Sequence, residues 1–257
     1  MRKYRKRGVI LPRFFVNGSA VSDGYVKISG DDAFHIARSL RMRTGETVTV
    51  CDDGMKEYSC RLEKITDDEV VALILAEGQS MSEPPYEAVL YQALCKGDKF
   101  DTVVQKAVET GAKRIVPVLT ARCTVRPDKK SLDAKQARWS RIAAEASKQS
   151  GRGIVVTVSP CMTFREAVSE AAKADVPLFC YEDERTVTLP SLLDGKPGAK
   201  TVSVFVGPEG GFDSAEAEAA ERAGLRSCSL GRRILRTETA SSFVLACLSY
   251  KYELQLP

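Results

Sequence analysis

The sequence has one histidine, His35, in 257 residues. One imidazole is too few for a histidine-rich zinc site, an HExxH protease or a Ser-His-Asp triad with a histidine to spare. There is no CxxC pair. The eight cysteines, at 51, 60, 95, 123, 161, 180, 228 and 247, follow no regular spacing. Neither a zinc ribbon nor a redox pair is signalled, and the expectation is no metal and reduced core thiols. No apolar run is long enough for a membrane helix; the longest candidate, residues 243–248, is about a third of the ~18 needed. The start, Met1-Arg-Lys-Tyr-Arg-Lys-Arg-Gly8, has the charge of a signal-peptide n-region without an adequate apolar stretch after it. The expectation is a cytoplasmic protein with no membrane partner. With 44% hydrophobic and 28% charged residues, the chain is neither collagen-like nor wholly disordered. Its length suits one or two domains with a full core.

The charge is mild in sum, +4, and uneven along the chain. Residues 1–13 carry Arg2, Lys3, Arg5, Lys6, Arg7 and Arg13 and no acid. Residues 113–152, which include Arg122 and Arg126, hold eleven Lys/Arg against three acids, whereas residues 161–221 hold twelve acids against five bases. This distribution would present a basic region to a polyanion, although a solvated helix face and a basic tail give the same pattern.

The first 78 residues read as β-rich. Short runs at 14–16, 25–28, 47–50, 57–62 and 70–75 are separated by Gly, Asp and Asn turns, which suggests a small barrel. In the turn Asp52-Asp53-Gly54-Met55 the glycine is expected to take φ > 0. A short helix over 31–39 would be capped by Asp31 or Asp32. Residues 79–85, small and ending in Pro-Pro, read as a linker. From Tyr86 strands and helices alternate: strands at 86–94, 115–119, 154–158, 176–181, 202–206 and 226–230, helices at 100–110, 132–148, 163–173 and 213–223, and a last helix capped by Thr237. Such alternation implies an α/β domain, residues 86–257, with a largely parallel sheet that binds ligands at the carboxyl ends of its strands.

Two loops stand out. Val206-Gly207-Pro208-Glu209-Gly210-Gly211-Phe212 follows an apolar strand, and its glycines allow close approach of a ligand to the main chain. It is neither a dinucleotide fingerprint nor a P-loop, and a tight turn would account for it equally. Ser229-Leu230-Gly231-Arg232-Arg233-Ile234-Leu235-Arg236-Thr237-Glu238-Thr239-Ala240 leads into a helix N-terminus, a site for a carboxylate or phosphate. Dipole compensation explains Glu238 but not the apolar pair set among three arginines.

These residues resemble the RsmE family of ribosomal RNA uridine N3-methyltransferases, of the knotted SPOUT class. The resemblance runs through Arg13-Phe14-Phe15-Val16, His35-Ile-Ala-Arg38-Ser-Leu40-Arg41 with Gly45, Lys96-Gly-Asp-Lys99, Gln105-Lys106-Ala-Val-Glu109-Thr-Gly111, Gly207-Pro-Glu-Gly-Gly211 and Leu230-Gly-Arg-Arg-Ile-Leu-Arg-Thr-Glu-Thr-Ala240. The basic extension before Leu11 is not part of the pattern. The resemblance implies a PUA-like RNA-binding barrel over 1–78, then a methyltransferase domain with a trefoil knot, and a homodimer. It implies S-adenosylmethionine held by Tyr181 and Glu182, by Gly207, Pro208, Glu209 and Gly210, and by Leu230, Gly231, Ile234, Leu235 and Arg236. A side chain at Gly210 is expected to block that cofactor. The substrate implied is 16S ribosomal RNA or the assembling small subunit. The alternatives are methylation of another RNA position, such as a ribose 2′-hydroxyl, and a non-catalytic RNA-binding assembly factor.

Uridine N3 is about as weakly acidic as a tyrosine phenol, roughly 10, so its anion needs stabilising as it forms. Arg236, which cannot serve as a base, is the first candidate for that role or for gripping the adjacent phosphate. Glu238 and Glu209 are the carboxylates close to the loops, and either could accept the proton, although capping and loop-fixing roles account for both without catalysis. Arg13, Arg38, Arg41, Arg43, Arg122 and Arg126 are the expected RNA contacts. His35 is expected to contact RNA or to lie on the surface.

Overall fold

The computed structural model describes residues 11–255; the basic run at residues 2–7 lies outside the described residues. The chain divides into two compact units. The first runs to Glu83 and also takes in Ser147–Val155; the second is Pro84–Ala146 together with the chain from Val156 onward.

In the first unit β1 (Arg13–Val16), β2 (Val21–Ser22), β3 (Tyr25–Ser29), β4 (Thr47–Asp52), β5 (Lys56–Ile65) and β6 (Glu69–Gln79) form one sheet in the order β1-β4-β5-β6-β3-β2. Only the β1–β4 pair is parallel. Alternate residues turn to one face, so Val26, Ile28, Val48, Val50, Tyr58, Cys60, Leu62, Val70 and Ala72 make a single core. The turn after β4 is fixed by Asp52, whose Oδ1 accepts from the N–H groups of Gly54 and Lys56, each at 2.9 Å. The positive φ falls on Met55, at 60°, and not on Gly54 as the sequence suggests; the Asp52 carboxylate sets the path of the turn. Helix α1 (Asp31–Phe34) continues as one π-helical turn over His35–Ser39. Its cap is Gly30, at φ 66°, with no side-chain bond, so neither Asp31 nor Asp32 caps it.

The second unit holds β7 (Glu87–Ala93), α2 (Lys99–Glu109), β8 (Ala112–Leu119), α3 (Lys129–Gln149, its last three residues counted with the first unit), β9 (Thr157–Val158), β10 (Met162–Thr163), α4 (Phe164–Ala171), β11 (Val176–Cys180), α5 (Leu189–Asp194), β12 (Thr201–Val206), α6 (Ser214–Arg222), β13 (Arg226–Cys228) and α7 (Thr237–Ser249). The sheet is parallel throughout, in the order β10-β8-β7-β12-β11-β13, with β9 beside β8. Both faces are buried. Leu90, Leu178 and Val204 pack under α2, α3 and α7, and the next residues along, Tyr91, Phe179 and Phe205, pack under α4 and α6. The capping boxes at Thr163/Glu166 and Asp213/Glu216 form as their sequences predict.

The strand expected at 154–158 shrinks to two residues. The cause lies in the segment before it, which is drawn into the first unit: Arg152 makes two bonds to Glu83, at 2.9 and 2.6 Å, and the Gly153 N–H a third at 2.8 Å. The unit boundary accordingly falls at Glu83 and Pro84 and is crossed again at 147–155, where the sequence shows only one division at 79–85.

Candidate functional site

β12 lies between β7 and β11, and β13 flanks β11. The carboxyl ends of β11, β12 and β13 therefore sit side by side, and the loops after them share one edge of the sheet. With the start of α7 they enclose a cleft of about 380 Å³ within the second unit, the size of a small-ligand site. Tyr181, Glu182, Gly207, Pro208, Glu209, Leu230, Gly231, Ile234, Leu235, Arg236 and Glu238 all line it. Gly210 does not: its Cα faces Arg122, whose Cβ would lie 3.6 Å from an added methyl, and Arg122 Nη1 donates to the Gly210 carbonyl at 3.1 Å.

The glycine that shapes the cleft is Gly211. Its φ is +67°, and a Cβ there would fall 1.5 Å from Glu182 Oε1. The loops after β11 and β12 meet at this point. Gly207 is also closed in, since a Cβ would meet the Phe212 ring at 3.1 Å. Phe212 anchors the loop in the aromatic cluster, with its ring centroid 4.2 Å from that of Phe179.

A buried polar network fixes α7 against this loop. Thr237 Oγ1 donates to the Gly207 carbonyl at 2.6 Å and accepts from Gln92 Nε2 at 2.9 Å. Ser241 Oγ lies 2.5 Å from Gln92 Oε1 and 2.9 Å from the Thr237 carbonyl. Gln92, Thr237 and Ser241 are all buried. Thr237 is thus the first helical residue and Arg236 the cap, with no side-chain capping bond. The cap expected of Thr237 fails because its hydroxyl is spent on Gly207. Gln92 is not among the residues that the sequence singles out. Its signal is one polar residue inside the buried strand β7, whose backbone needs no side-chain partner.

The carboxylates of the cleft differ. Glu209 Oε1 accepts from Lys99 Nζ at 2.8 Å and from the Lys96 N–H at 3.0 Å. Burial pushes its carboxyl up, but the Lys99 and backbone hydrogen bonds outweigh burial and hold it below the usual range. Glu238 Oε2 is buried and has no hydrogen-bond partner. A buried acceptor without a donor costs about 1–3 kcal/mol, which marks it as a place for a ligand group. Glu184 stiffens the loop after β11. It accepts from the Val187 N–H and from the Thr186 hydroxyl and N–H, and these bonds pull its carboxyl down to about 2.

Arg236 lines the cleft and is exposed. Lys99, Arg185, Arg232 and Arg233 join it. Of these, Lys99 and Arg185 have no expected role in the cleft; nothing in the sequence position of Lys99 tells that α2 begins beside Glu209.

The expected RNA contacts separate. Arg13 is withdrawn from that set: its side chain is 13% exposed, and it is spent on Glu57 at 2.9 Å, Cys51 Sγ at 2.7 Å and the Arg152 carbonyl at 3.2 Å. Arg38 is exposed but carries its counter-charge, Asp67, in a two-pronged pair. Arg41, at φ 50°, and Arg43 are exposed, as is His35. In the second unit Arg122 braces the loop at Gly210, and Arg126 donates to the Ala121 carbonyl at 2.8 Å; both remain exposed. All eight cysteines are free thiols, and burial pushes Cys60 and Cys95 up to about 12. Among the described residues no set of His, Cys, Asp and Glu converges as metal ligands, and no helix is long and apolar enough to cross a membrane.

Residues 82–249 match the RNA methyltransferase domain family, and residues 28–75 match the RNA methyltransferase PUA domain. The ribosomal RNA small subunit methyltransferase E of Bacillus subtilis (strain 168) is 32% identical over 231 residues, which cover 88% of this chain and 90% of the relative. The enzyme of the same name from Aquifex aeolicus (strain VF5) is 30% identical over 218 residues, 82% of this chain and 88% of the relative. A crystal structure of the ribosomal RNA small subunit methyltransferase E from Neisseria gonorrhoeae bound to S-adenosyl methionine superposes with a TM-score of 0.82 at 30% identity, covering 94% of this chain and 98% of that one.

Proposed function

The chain belongs to the ribosomal RNA small subunit methyltransferase E family, and on that premise we propose that it transfers a methyl group from S-adenosylmethionine to N3 of a uridine in 16S ribosomal RNA. The observation that carries this is the cleft at the ends of β11, β12 and β13. Its residues fit the cofactor. Leu230, Leu235 and Pro208 offer apolar surface for an adenine, the Gly207–Gly211 path allows main-chain approach, and the uncapped start of α7 and the unpaired Glu238 Oε2 offer polar partners. When bound, S-adenosylmethionine supplies a methyl carbon already activated on a sulfonium.

The rest of the work falls to the protein's own residues. The cleft holds the uracil in line with the methyl carbon, which is a proximity effect. N3 must lose its proton, and Glu238 Oε2 is the acceptor. Glu209 is less suited, because its carboxylate already accepts from Lys99 and Lys96 and is a weakened base. Arg236, at the cap of α7, offsets the charge that develops on the ring or grips the neighbouring phosphate. Arg41 and Arg43 in the first unit, and Arg122 and Arg126 in the second, face RNA. The segment after β13 runs beside the one after β11, with Ser229 bonded to Val187 at 2.8 Å and to Leu189 at 3.3 Å. That passage supports a trefoil knot. Phe243, Tyr250 and Leu254, exposed on α7 and the turn after it, support pairing with a second copy. The setting proposed is the cytoplasm, where ribosomal subunits assemble.

The test is transfer of a labelled methyl group to small subunits from cells that lack the gene, alongside calorimetric titration of the cofactor. Micromolar binding with label in 16S RNA supports the reading. Absence of cofactor binding supports the assembly-factor alternative.

A further inference from the structure

Lys99 is the first residue of α2, a helix otherwise concerned with packing Phe100 against Trp139. Its ammonium nevertheless lines the cleft. One of its three N–H donors goes to Glu209 Oε1, at 2.8 Å. The side chain is 38% exposed, so the remaining donors are open to a ligand. Glu209 is in turn held by the Lys96 N–H, which fixes the ammonium in place. Glu209, Glu238 and the Cys95 thiol set its surroundings. The hydrogen bond to Glu209 raises its pKa most, and the charges of Glu209 and Glu238 add to it, outweighing burial. Lys99 therefore stays an ammonium at neutral pH: it donates and cannot act as the base.

The lining of one cleft thus includes a cation with donors to spare and a buried carboxylate oxygen with no donor. Uracil presents the complement of that pair along one edge, an N3–H donor flanked by the carbonyl acceptors O2 and O4. We propose that Lys99 is a further catalytic residue, donating to a carbonyl oxygen beside uridine N3 while Glu238 Oε2 accepts the N3 proton. The proposal rests on the reading of the protein as a uridine N3-methyltransferase and deepens it. As the N3–H bond breaks, the proton passes to Glu238 and the negative charge spreads onto O2 and O4, where Lys99 meets it. The N3 electron pair then takes the methyl carbon of S-adenosylmethionine, and the carbon–sulfur bond breaks to leave a neutral thioether. The same pair discriminates against cytosine, whose N3 has no proton for Glu238 to accept.

The test compares Lys99→Met and Lys99→Gln with the wild type on two RNAs, one made with uridine and one with 5-fluorouridine. Fluorine withdraws electrons and acidifies N3, so it substitutes for the lost cation. Both variants should bind S-adenosylmethionine with unchanged affinity and melt at the wild-type temperature. On ordinary RNA their single-turnover rate should fall by about 10²-fold, as when one oxyanion donor is lost. On 5-fluorouridine RNA, assayed at a pH where its N3 is already largely ionised, the deficit should shrink, because the anion no longer has to be stabilised as it forms. Wild-type rates in either variant, or an equal deficit on both RNAs, would overturn the assignment and leave Lys99 as a brace for Glu209. Absence of N3-methylated uridine from the wild-type reaction would overturn the underlying reading, and this assignment with it.

Discussion

Gly211 and Gly210 are neighbours with opposite consequences. A methyl at Gly211 displaces the Glu182 carboxylate, the mobile end of an exposed side chain, and forces a side chain onto φ +67°, a backbone cost of about 1–2 kcal/mol. A methyl at Gly210 meets nothing nearer than 3.6 Å. Gly211→Ala should therefore weaken cofactor binding by up to about tenfold, while Gly210→Ala should bind as the wild type does; titration of both by calorimetry checks this. The glycine-rich loop is legible in the sequence. Which of its glycines is critical is not, because the obstacle, Glu182, arrives from a loop 29 residues away. The same holds for Arg13. Its basic character shows in the sequence, but its burial against Glu57 and Cys51 depends on the pairing of β1 with β4. Arg236 is the reverse case, since the structure leaves it exposed in the cleft. Arg236→Ala should cut turnover by roughly 10²–10³ with little change in cofactor affinity, and Arg236→Lys should recover little of it. A lowered melting temperature with normal turnover would instead make Arg236 a structural brace.

The elements that carry the site are held by polar groups in places where the chain is otherwise apolar. Thr237→Val removes the donor to the Gly207 carbonyl and the acceptor for Gln92. Gln92 Nε2 keeps longer contacts to the Ala93 and Gly207 carbonyls, at 3.2 and 3.4 Å, so the loss is that of two short hydrogen bonds, about 0.5–1.5 kcal/mol each; the variant should melt a few degrees lower, by scanning calorimetry, and bind cofactor less tightly. The loop after β11 has its own pH dependence through Glu184. Its folded pKa, about 2, lies below the value of an unfolded glutamate. Its contribution is therefore full above the unfolded value, roughly 4.3, and is lost as the pH falls toward about 2. The difference in urea midpoint between the wild type and Glu184→Gln should be widest above that value and close in acid. Most elements are legible because their signals are local. The capping boxes at Thr163 and Asp213 and the glycines that end helices, Gly111 and Gly224, act within a few residues. Where a distant group intervenes the local signal fails: Glu83 captures residues 152–153 and shortens β9, and Gly207 takes the hydroxyl that would have capped α7.

For the molecule as a whole, binding to a polyanion should be steeply salt-dependent. Neutralising Arg41 and Arg43 together should weaken RNA binding, read by filter retention at two salt concentrations, and leave cofactor titration unchanged. Equal loss of both would contradict a division of labour between the exposed arginines and the cleft. The α/β class was legible from strand–helix alternation, because a parallel sheet buried on both faces needs continuous apolar strands such as β11 and β12. The return of residues 147–155 to the first unit was not, because their partners lie some 70 residues earlier, at Ser80 and Glu83. The most direct measurement is mass-spectrometric nucleoside analysis of 16S ribosomal RNA after incubation with the purified protein and S-adenosylmethionine. The expected result is one added methyl per RNA, recovered as 3-methyluridine. A methyl recovered on a ribose 2′-hydroxyl, or none at all in the presence of bound cofactor, would contradict it.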